Sequence, residues 1–397
     1  MPVDHFPLIE ALHKAPLRLV LAATGGGSGA IAELLQTPGA SRTVLEAVVP
    51  YSAAALSDWL SARPEHYCHE RTARAMAMAA FLRAMSLAAR EEATHSAGQG
   101  AASIYGDNLV GIGCTASLAS DRPKRGPHRL HVAAQTAAAT RVHSLELTKN
   151  ARSRREEEGI ATALVLNVAA EAAGLEQRIE LPLLAGEHLE SDPMEAPEEW
   201  RDLLLGRTAA VRYQSASALA ATAAAGHSPR AVFPGAFDPL HDGHRRMAEV
   251  AAELLGAEVA FEISIANVDK PPLDYLEMSR RGRQFEGHVL WYTRAATFCE
   301  KSRLFPSSTF VVGADTVLRL AEAKYYGGEP AACQAAIEEI AARGCHFLVF
   351  GRARGEGFQT LDDLPLPPSL AALCRGVSAE RFREDVSSTQ LRRASEG

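Results

Sequence analysis

Two histidines three residues apart, His241 and His244, lie in Phe233-Pro234-Gly235-Ala236-Phe237-Asp238-Pro239-Leu240-His241-Asp242-Gly243-His244, a Gly/Pro turn between two apolar runs. At a helix start this spacing puts both imidazoles on nearly the same face, beside backbone amides that already favour an anion. Donating together to phosphate oxygens, they would stabilise charge as it moves through an in-line displacement. The small residues Gly235 and Ala236 let backbone N–H groups come close to a phosphate, with Phe237 completing the turn. Far downstream, Ser387-Ser388-Thr389 offers hydroxyls and helix-start amides, and Arg392 adds a fork-shaped cation. That set suits a triphosphate. Gly313-Ala314-Asp315 ends a short apolar strand, and Lys270 stands in a polar loop, Asn267 to Leu273; Arg280 and Arg281 are weaker candidates for the same duty.

These residues need an open α/β scaffold, and the chain reads as one. Ala231–Phe233 is a strand and a helix starts near Gly243, burying Met247, Val250, Ala251, Leu254 and Leu255 on one face. Val259, Phe261, Ile263 and Ile265 alternate as a strand; Phe310–Val312 and Phe347–Phe350 are further strands, each stopping at a glycine. Loops after strand C-termini are where open α/β sheets bind ligands. The first half repeats the alternation. Leu17–Ala23, Thr43–Val49, Leu109–Gly113 and Leu130–Ala134 read as strands, and Ala30–Leu35, Glu70–Arg90 and Glu156–Ala173 as helices. Two α/β domains follow, a layered one over 1–185 and a Rossmann-like one with a parallel sheet over 230–397. Residues 186–229 between them, acidic and proline-containing at first and then Ala/Ser-rich, read as a linker or bridge with a short helix near Trp200–Leu205.

Composition narrows the partners. The 397 residues are too many for one core, and 47% hydrophobic with 22% charged is ordinary for a globular chain. A net charge of −7 argues against a protein built to hold nucleic acid by its phosphates. The six cysteines are scattered, with no metal-binding spacing, and read as reduced thiols. No apolar stretch approaches the roughly 20 residues of a membrane span, and Met1–Pro16 does not read as a signal peptide, so a cytoplasmic location with no membrane partner is expected.

Gly235 to His244, in its strand–loop–helix setting, resembles the nucleotidylyltransferase superfamily that includes nicotinamide and nicotinate mononucleotide adenylyltransferases, pantetheine-phosphate adenylyltransferase and glycerol-phosphate cytidylyltransferase. Val386-Ser387-Ser388-Thr389-Gln390-Leu391-Arg392 is similar to the family's [IV]SSTxIR, with Leu391 for Ile, and Gly313-Ala314-Asp315 to its GAD strand end. Asn267–Lys270 resembles the stretch that carries a phosphate-binding lysine. The resemblance implies catalytic His241, His244, Lys270 and Arg392, and nucleotide contacts from Gly235, Ala236, Phe237, Gly313, Asp315, Ser387, Ser388 and Thr389. It implies ATP with Mg²⁺ and a small phosphorylated acceptor. GAD and SST together tilt the acceptor towards nicotinamide or nicotinate mononucleotide. Against this, the tryptophan that often follows GAD and the family's Tyr-Thr-x-Asp-Thr segment are absent, and Asn267–Leu273 is closer to the pantetheine-phosphate enzymes. Phosphopantetheine or an alcohol phosphate is the alternative acceptor, and a nucleotide-binding scaffold without turnover the alternative class.

Residues 17–174 resemble the CinA C-terminal domain family, whose active members deamidate nicotinamide mononucleotide. The matching runs are Ala23–Gly27, Leu34–Ser41 and Glu46–Ser52, with looser fits at Leu109–Gly113 and Gly126–Ala134. The family's Glu-Ser-Cys-Thr-Gly-Gly places Thr24 on the serine nucleophile and Ala23 on the glutamate. Tyr51 and Ser52 match its Tyr-Ser-x-x-x-Lys, but Leu56 stands at the lysine. A hydroxyl without a neighbouring base is a weak nucleophile, so Thr24, Tyr51 and Ser52 are expected to mark a degenerate site. Thr24-Gly25-Gly26-Gly27 could remain as an anion-binding turn. A homo-oligomer formed through this domain is a further expectation.

Overall fold

The computed structural model describes residues 4–95, 108–121, 125–213, 228–266, 271–354 and 357–383. The chain divides into two compact units, Met1–Leu205 with Asp269–Leu276, and Gly206–Val268 with Glu277–Gly397.

The first unit runs α1 (Phe6–Lys14), β1 (Arg18–Thr24), α2 (Gly29–Gln36), α3 (Ala40–Thr43), β2 (Val44–Val48), α4 (Ala53–Leu60), α5 (Glu70–His95), β3 (Leu109–Ser117), β4 (His128–Gln135), β5 (Ala139–Leu147), α6 (Arg154–Ala172), β6 (Leu189–Glu195) and α7 (Glu198–Leu205). Its strands form one sheet in the order β2-β1-β3-β4-β5-β6, with β1 parallel to both neighbours and the others antiparallel. The near-continuous apolar run of β1 follows from burial on both faces. Leu19, Leu21 and Ala23 pack with α1, α2 and α6, while Ala22 packs with Leu56, Leu60 and Met76 of the opposite layer. A capping box, Ser153 with Glu156, starts α6.

The linker expected over 186–229 is corrected in its first half. Residues 189–195 pair with β5 as an edge strand, while the short helix expected near Trp200–Leu205 is present over 198–205. An edge strand is where a sheet tolerates both Pro193 and a run of acidic side chains, so linker-like composition here marks a sheet border. Within the same unit Arg74 meets Asp274 at 2.6 Å in a buried ion pair, and the Tyr275 hydroxyl donates to the carbonyl of Ala137 at 2.7 Å.

The second unit contains β7 (Ala210–Arg212), β8 (Ala231–Pro234), α8 (Asp242–Leu255), β9 (Val259–Ser264), most of α9 (Tyr275–Gly282), β10 (Leu290–Thr293), α10 (Phe298–Leu304), β11 (Thr309–Gly313), α11 (Ala314–Leu320), α12 (Pro330–Ala342), β12 (His346–Phe350), the hairpin β13 (Arg352–Arg354) and β14 (Gly357–Gln359), α13 (Pro368–Ala371) and β15 (Cys374–Val377). Seven strands form a sheet in the order β15-β12-β11-β8-β9-β10-β7, parallel except for β7 at one edge. The first of the parallel strands, β8, is central; the chain builds β9 and β10 to one side and then crosses to β11, β12 and β15 on the other. The reversal lies between β8 and β11, where doubly wound sheets open a crevice at their C-terminal edge. Of the face expected on α8, Val250 and Ala251 are fully buried, whereas Met247, Leu254 and Leu255 are half-buried. Among the described residues no helix is long and apolar enough to cross a membrane.

Candidate nucleotide site

The loop from β8 to α8 opens at this crevice. His241 is the N-cap residue of α8, in extended conformation, and His244 is in the first turn. Their rings stack with centroids 3.7 Å apart, so the expected shared face exists. The His241 backbone N–H donates to His244 Nδ1 at 3.4 Å. In a neutral imidazole this leaves the proton on Nε2, making His244 a donor through that atom. Burial, helped by the nearby His241, pushes the His244 pKa down to about 3. Its ring packs edge-on against Phe233 and Phe237, at 6.0 and 5.0 Å, which is what desolvates it. His244 is therefore a neutral hydrogen-bond donor at pH 7.

Two nucleotide-contact expectations are revised. Phe237 turns inward, 2% exposed, and packs on Phe233, Phe261 and Phe285. Its backbone lies in the left-handed region, φ 46°, and its ring folds over Gly235, where a Cβ would sit 2.6 Å from it. Phe237 thus supports the loop from beneath, and only its backbone is left to meet a ligand. The N–H of Gly235 is already committed to the carbonyl of Glu262 at 2.9 Å, which extends the β8–β9 pairing by one residue. Ala236 is exposed.

The loop is held by residues that sequence reading undervalued or missed. Gln284 accepts from the Leu240 N–H at 2.8 Å and donates to the Phe237 carbonyl at 3.2 Å. Arg281 donates to the Ala236 carbonyl at 2.9 Å, and Arg280 pairs with Asp238. Both arginines also grip Glu277, at 2.5 and 2.7 Å. Burial alone would raise the Glu277 pKa, but the two guanidiniums outweigh it and hold the carboxyl down at about 2. Arg280 and Arg281 are thus loop-setting residues. Beneath the loop, Glu262 is fully buried and Lys301 nearly so, joined at 2.8 Å to each carboxylate oxygen. A charge inside a central strand is the sequence signal for such a pair.

Across the crevice, Gly313 ends β11 and leads into α11, with open space where its side chain would be. Asp315 is exposed and ion-paired with Arg352, just beyond β12 and not foreseen in the sequence. The ends of β8, β11 and β12 are neighbours, so these residues and the histidine pair occupy one edge. Lys270, Ser387, Ser388, Thr389 and Arg392 lie outside the described residues. No group of three His, Cys, Asp or Glu side chains among the described residues could hold a metal.

In the first unit, Thr24 ends β1, nearly buried, and Tyr51 is 69% exposed after β2. Ser52 caps α4, its hydroxyl accepting the Ala55 N–H at 3.1 Å, so its role is structural. Gly25 has φ 74° and passes so close to Ala116 that a Cβ would meet its carbonyl oxygen. Just beyond the expected anion-binding turn the chain places a carboxylate of its own. Glu158 Oε1 accepts from the Gly29 N–H at 3.2 Å and the Ser28 hydroxyl at 3.3 Å, at the start of α2. Elsewhere in this sheet His131 Nδ1 meets Ser144 Oγ at 2.7 Å, and burial, reinforced by Arg129 and His69, pushes the His131 pKa down to about 4.

A sheet parallel except for one edge strand, with a histidine pair at its switch point, defines an open α/β domain of Rossmann type. Residues 232–394 match the Cytidylyltransferase-like family model, so this part of the chain is a nucleotidyltransferase-type domain. The N-terminal part is similar in structure to the competence/damage inducible protein CihA from Agrobacterium tumefaciens (20% identity, 45% of this chain and 98% of that chain, TM-score 0.31). It is similar too to a competence-damaged protein (CinA) superfamily protein from Escherichia coli (19% identity, 43% and 87%, TM-score 0.30). Likeness at that level fixes neither activity nor ligand. Among curated proteins none matches.

Proposed function

We propose that the second unit transfers AMP from ATP to a mononucleotide such as nicotinamide or nicotinate mononucleotide, releasing pyrophosphate. The stacked His241–His244 pair at the N-terminus of α8, on the switch point of the sheet, carries the reading. A phosphate acceptor is already an anion at neutral pH, so the chemistry needs no general base. Its oxygen attacks the α-phosphorus, the bond to the β-phosphate bridging oxygen breaks, and pyrophosphate leaves. Catalysis is then positioning plus charge stabilisation. His244 Nε2–H and the first amides of α8 supply donors without a proton having to move, and Lys270 and Arg392 are proposed to add cations. Of the described carboxylates at this edge, Asp238 and Asp315 are tied to arginines and Asp242 is exposed at the start of α8, and no three of them group as a cage for Mg²⁺. The ion is expected to arrive on the triphosphate with much of its own water, and each step above is carried by the chain's own groups.

The first unit is proposed to have lost deamidation. Leu56 stands where the resemblance needs a lysine, Ser52 is a helix cap, and Glu158 takes the Ser28 hydroxyl and the Gly29 N–H just after the glycine turn. Assembly through this unit, and a cytoplasmic setting, remain part of the same proposal. The test is pyrophosphate release from Mg-ATP against nicotinamide mononucleotide, nicotinate mononucleotide, phosphopantetheine and glycerol phosphate. Release with a mononucleotide supports the reading. Release with phosphopantetheine or glycerol phosphate alone moves the acceptor, and silence with ATP still bound leaves a scaffold.

A further inference from the structure

We infer that the buried pair Glu262–Lys301 positions the β8–α8 loop and, through it, the histidine pair. The catalytic half of this inference rests on the function proposed above; the structural half does not. Glu262 is 0% exposed and Lys301 is 5% exposed. The ammonium directs its three protons to Glu262 Oε1, Glu262 Oε2 and the Ala295 carbonyl, each at 2.8 Å. Glu262 Oε1 also accepts from the Thr293 hydroxyl at 2.5 Å, and Thr293 Oγ takes the Ala295 N–H at 3.2 Å. The same Glu262 presents its backbone carbonyl to Gly235, the first residue of the loop. One residue therefore ties the departure point of the loop to the end of β10 and to α10, which carries Lys301.

This placement is specific to the reactive edge. Pro234 is paired with Glu262, and Thr293 with Ser264, so the network sits where β8, β9 and β10 all end. A hydrophobic pair could fill the same volume, and burying two ions is rarely the cheaper way to stabilise a core. What the ions add is direction. The bidentate carboxylate fixes the rotation of the Glu262 side chain, the peptide that follows it, and the acceptor for Gly235. A loop that must hold two imidazoles against a moving phosphate needs that fixity more than it needs stability.

Hydrogen exchange with mass spectrometry and steady-state turnover, both on the full chain, test this with Lys301→Met and the double variant Glu262→Gln/Lys301→Met. The expected result for Lys301→Met is exchange about tenfold faster in peptides covering 235–241, with peptides covering 346–350 unchanged. Where wild-type turnover is measurable, kcat falls by about tenfold or more while KM for ATP stays within about twofold. The double variant, with no orphaned charge, keeps its fold and restores neither loop protection nor kcat. Unchanged exchange over 235–241 in both variants overturns the inference. So does a uniform rise across the second unit in Lys301→Met that the double variant fully reverses, since that is a stability effect alone. If the wild type releases no pyrophosphate, the function proposed above fails while the exchange result still decides the positioning.

Discussion

Lowering the pH from 6.5 to 5 should destabilise the second unit, and His244 should be the cause. Its pKa is about 3 in the folded chain, against an ordinary histidine value near 6.5 when unfolded. Between those values the unfolded chain holds a proton that the folded chain refuses, so stability falls as the pH falls. Each such proton is worth about 1.4 kcal/mol per pH unit, giving a ceiling of roughly 2 kcal/mol over this interval. Partial solvent access will take the measured figure below that ceiling. Glu277 acts in a separate window: with its pKa held at about 2, its contribution is complete above the usual carboxylate range and is lost only as the pH drops towards 2. The assay is global hydrogen exchange of β9 peptides at pH 6.5 and 5, corrected for intrinsic rates, in the wild type and in His244→Asn. Asparagine keeps an acceptor near the position of Nδ1 but does not titrate. The wild type should lose about 1–2 kcal/mol more than the variant over the interval. Equal losses would refute the neutral, desolvated His244 on which the mechanism depends.

Other outcomes follow from the same contacts. His244→Ala should lower turnover by about 10²–10³ with the fold retained, as for loss of one transition-state donor, measured by pyrophosphate release and circular dichroism. Gln284→Ala leaves the Leu240 N–H without its partner and should cost about 1–3 kcal/mol in urea unfolding of the second unit. Ser52→Ala should cost about 1 kcal/mol as a lost N-cap, with no change in any activity of the chain. Incubation with nicotinamide mononucleotide should release no ammonia above a protein-free control; release abolished by Thr24→Val would restore hydrolysis to the first unit.

The motif-bearing parts of the fold were legible because their signals are local. Val259 to Ile265 alternates, α8 starts where its histidines do, and Gly313 stops a strand, all readable within ten residues. What was not legible depends on partners far away in sequence. β5 carries Thr140, Arg141 and His143 among its apolar residues, and only its neighbours β4 and β6 make it a strand. The acidic edge strand β6 reads as linker because nothing in 189–195 reveals that β5 is waiting for it. Gly235 looked like a phosphate-facing amide, yet Glu262 had already claimed its N–H. Glycine permits close approach without saying what approaches. The start of α2, just past the turn after Thr24, gives the same lesson, since its Gly29 N–H is already taken by Glu158. At the site itself, the two histidines and the strand end at Gly313 were foreseen. The supporting set of Gln284, Glu277, Lys301 and Arg352 was not, since each acts through a tertiary contact.

The most direct test is transfer of label from ATP carrying a labelled α-phosphate, with nicotinamide and nicotinate mononucleotide offered separately at saturating Mg²⁺. The expected result is a labelled dinucleotide joined through a pyrophosphate bridge, formed by the wild type and about 10²–10³ more slowly by His244→Ala. Label that stays in ATP with both acceptors, or a dinucleotide formed equally fast by His244→Ala, would contradict adenylyl transfer at the His241–His244 pair.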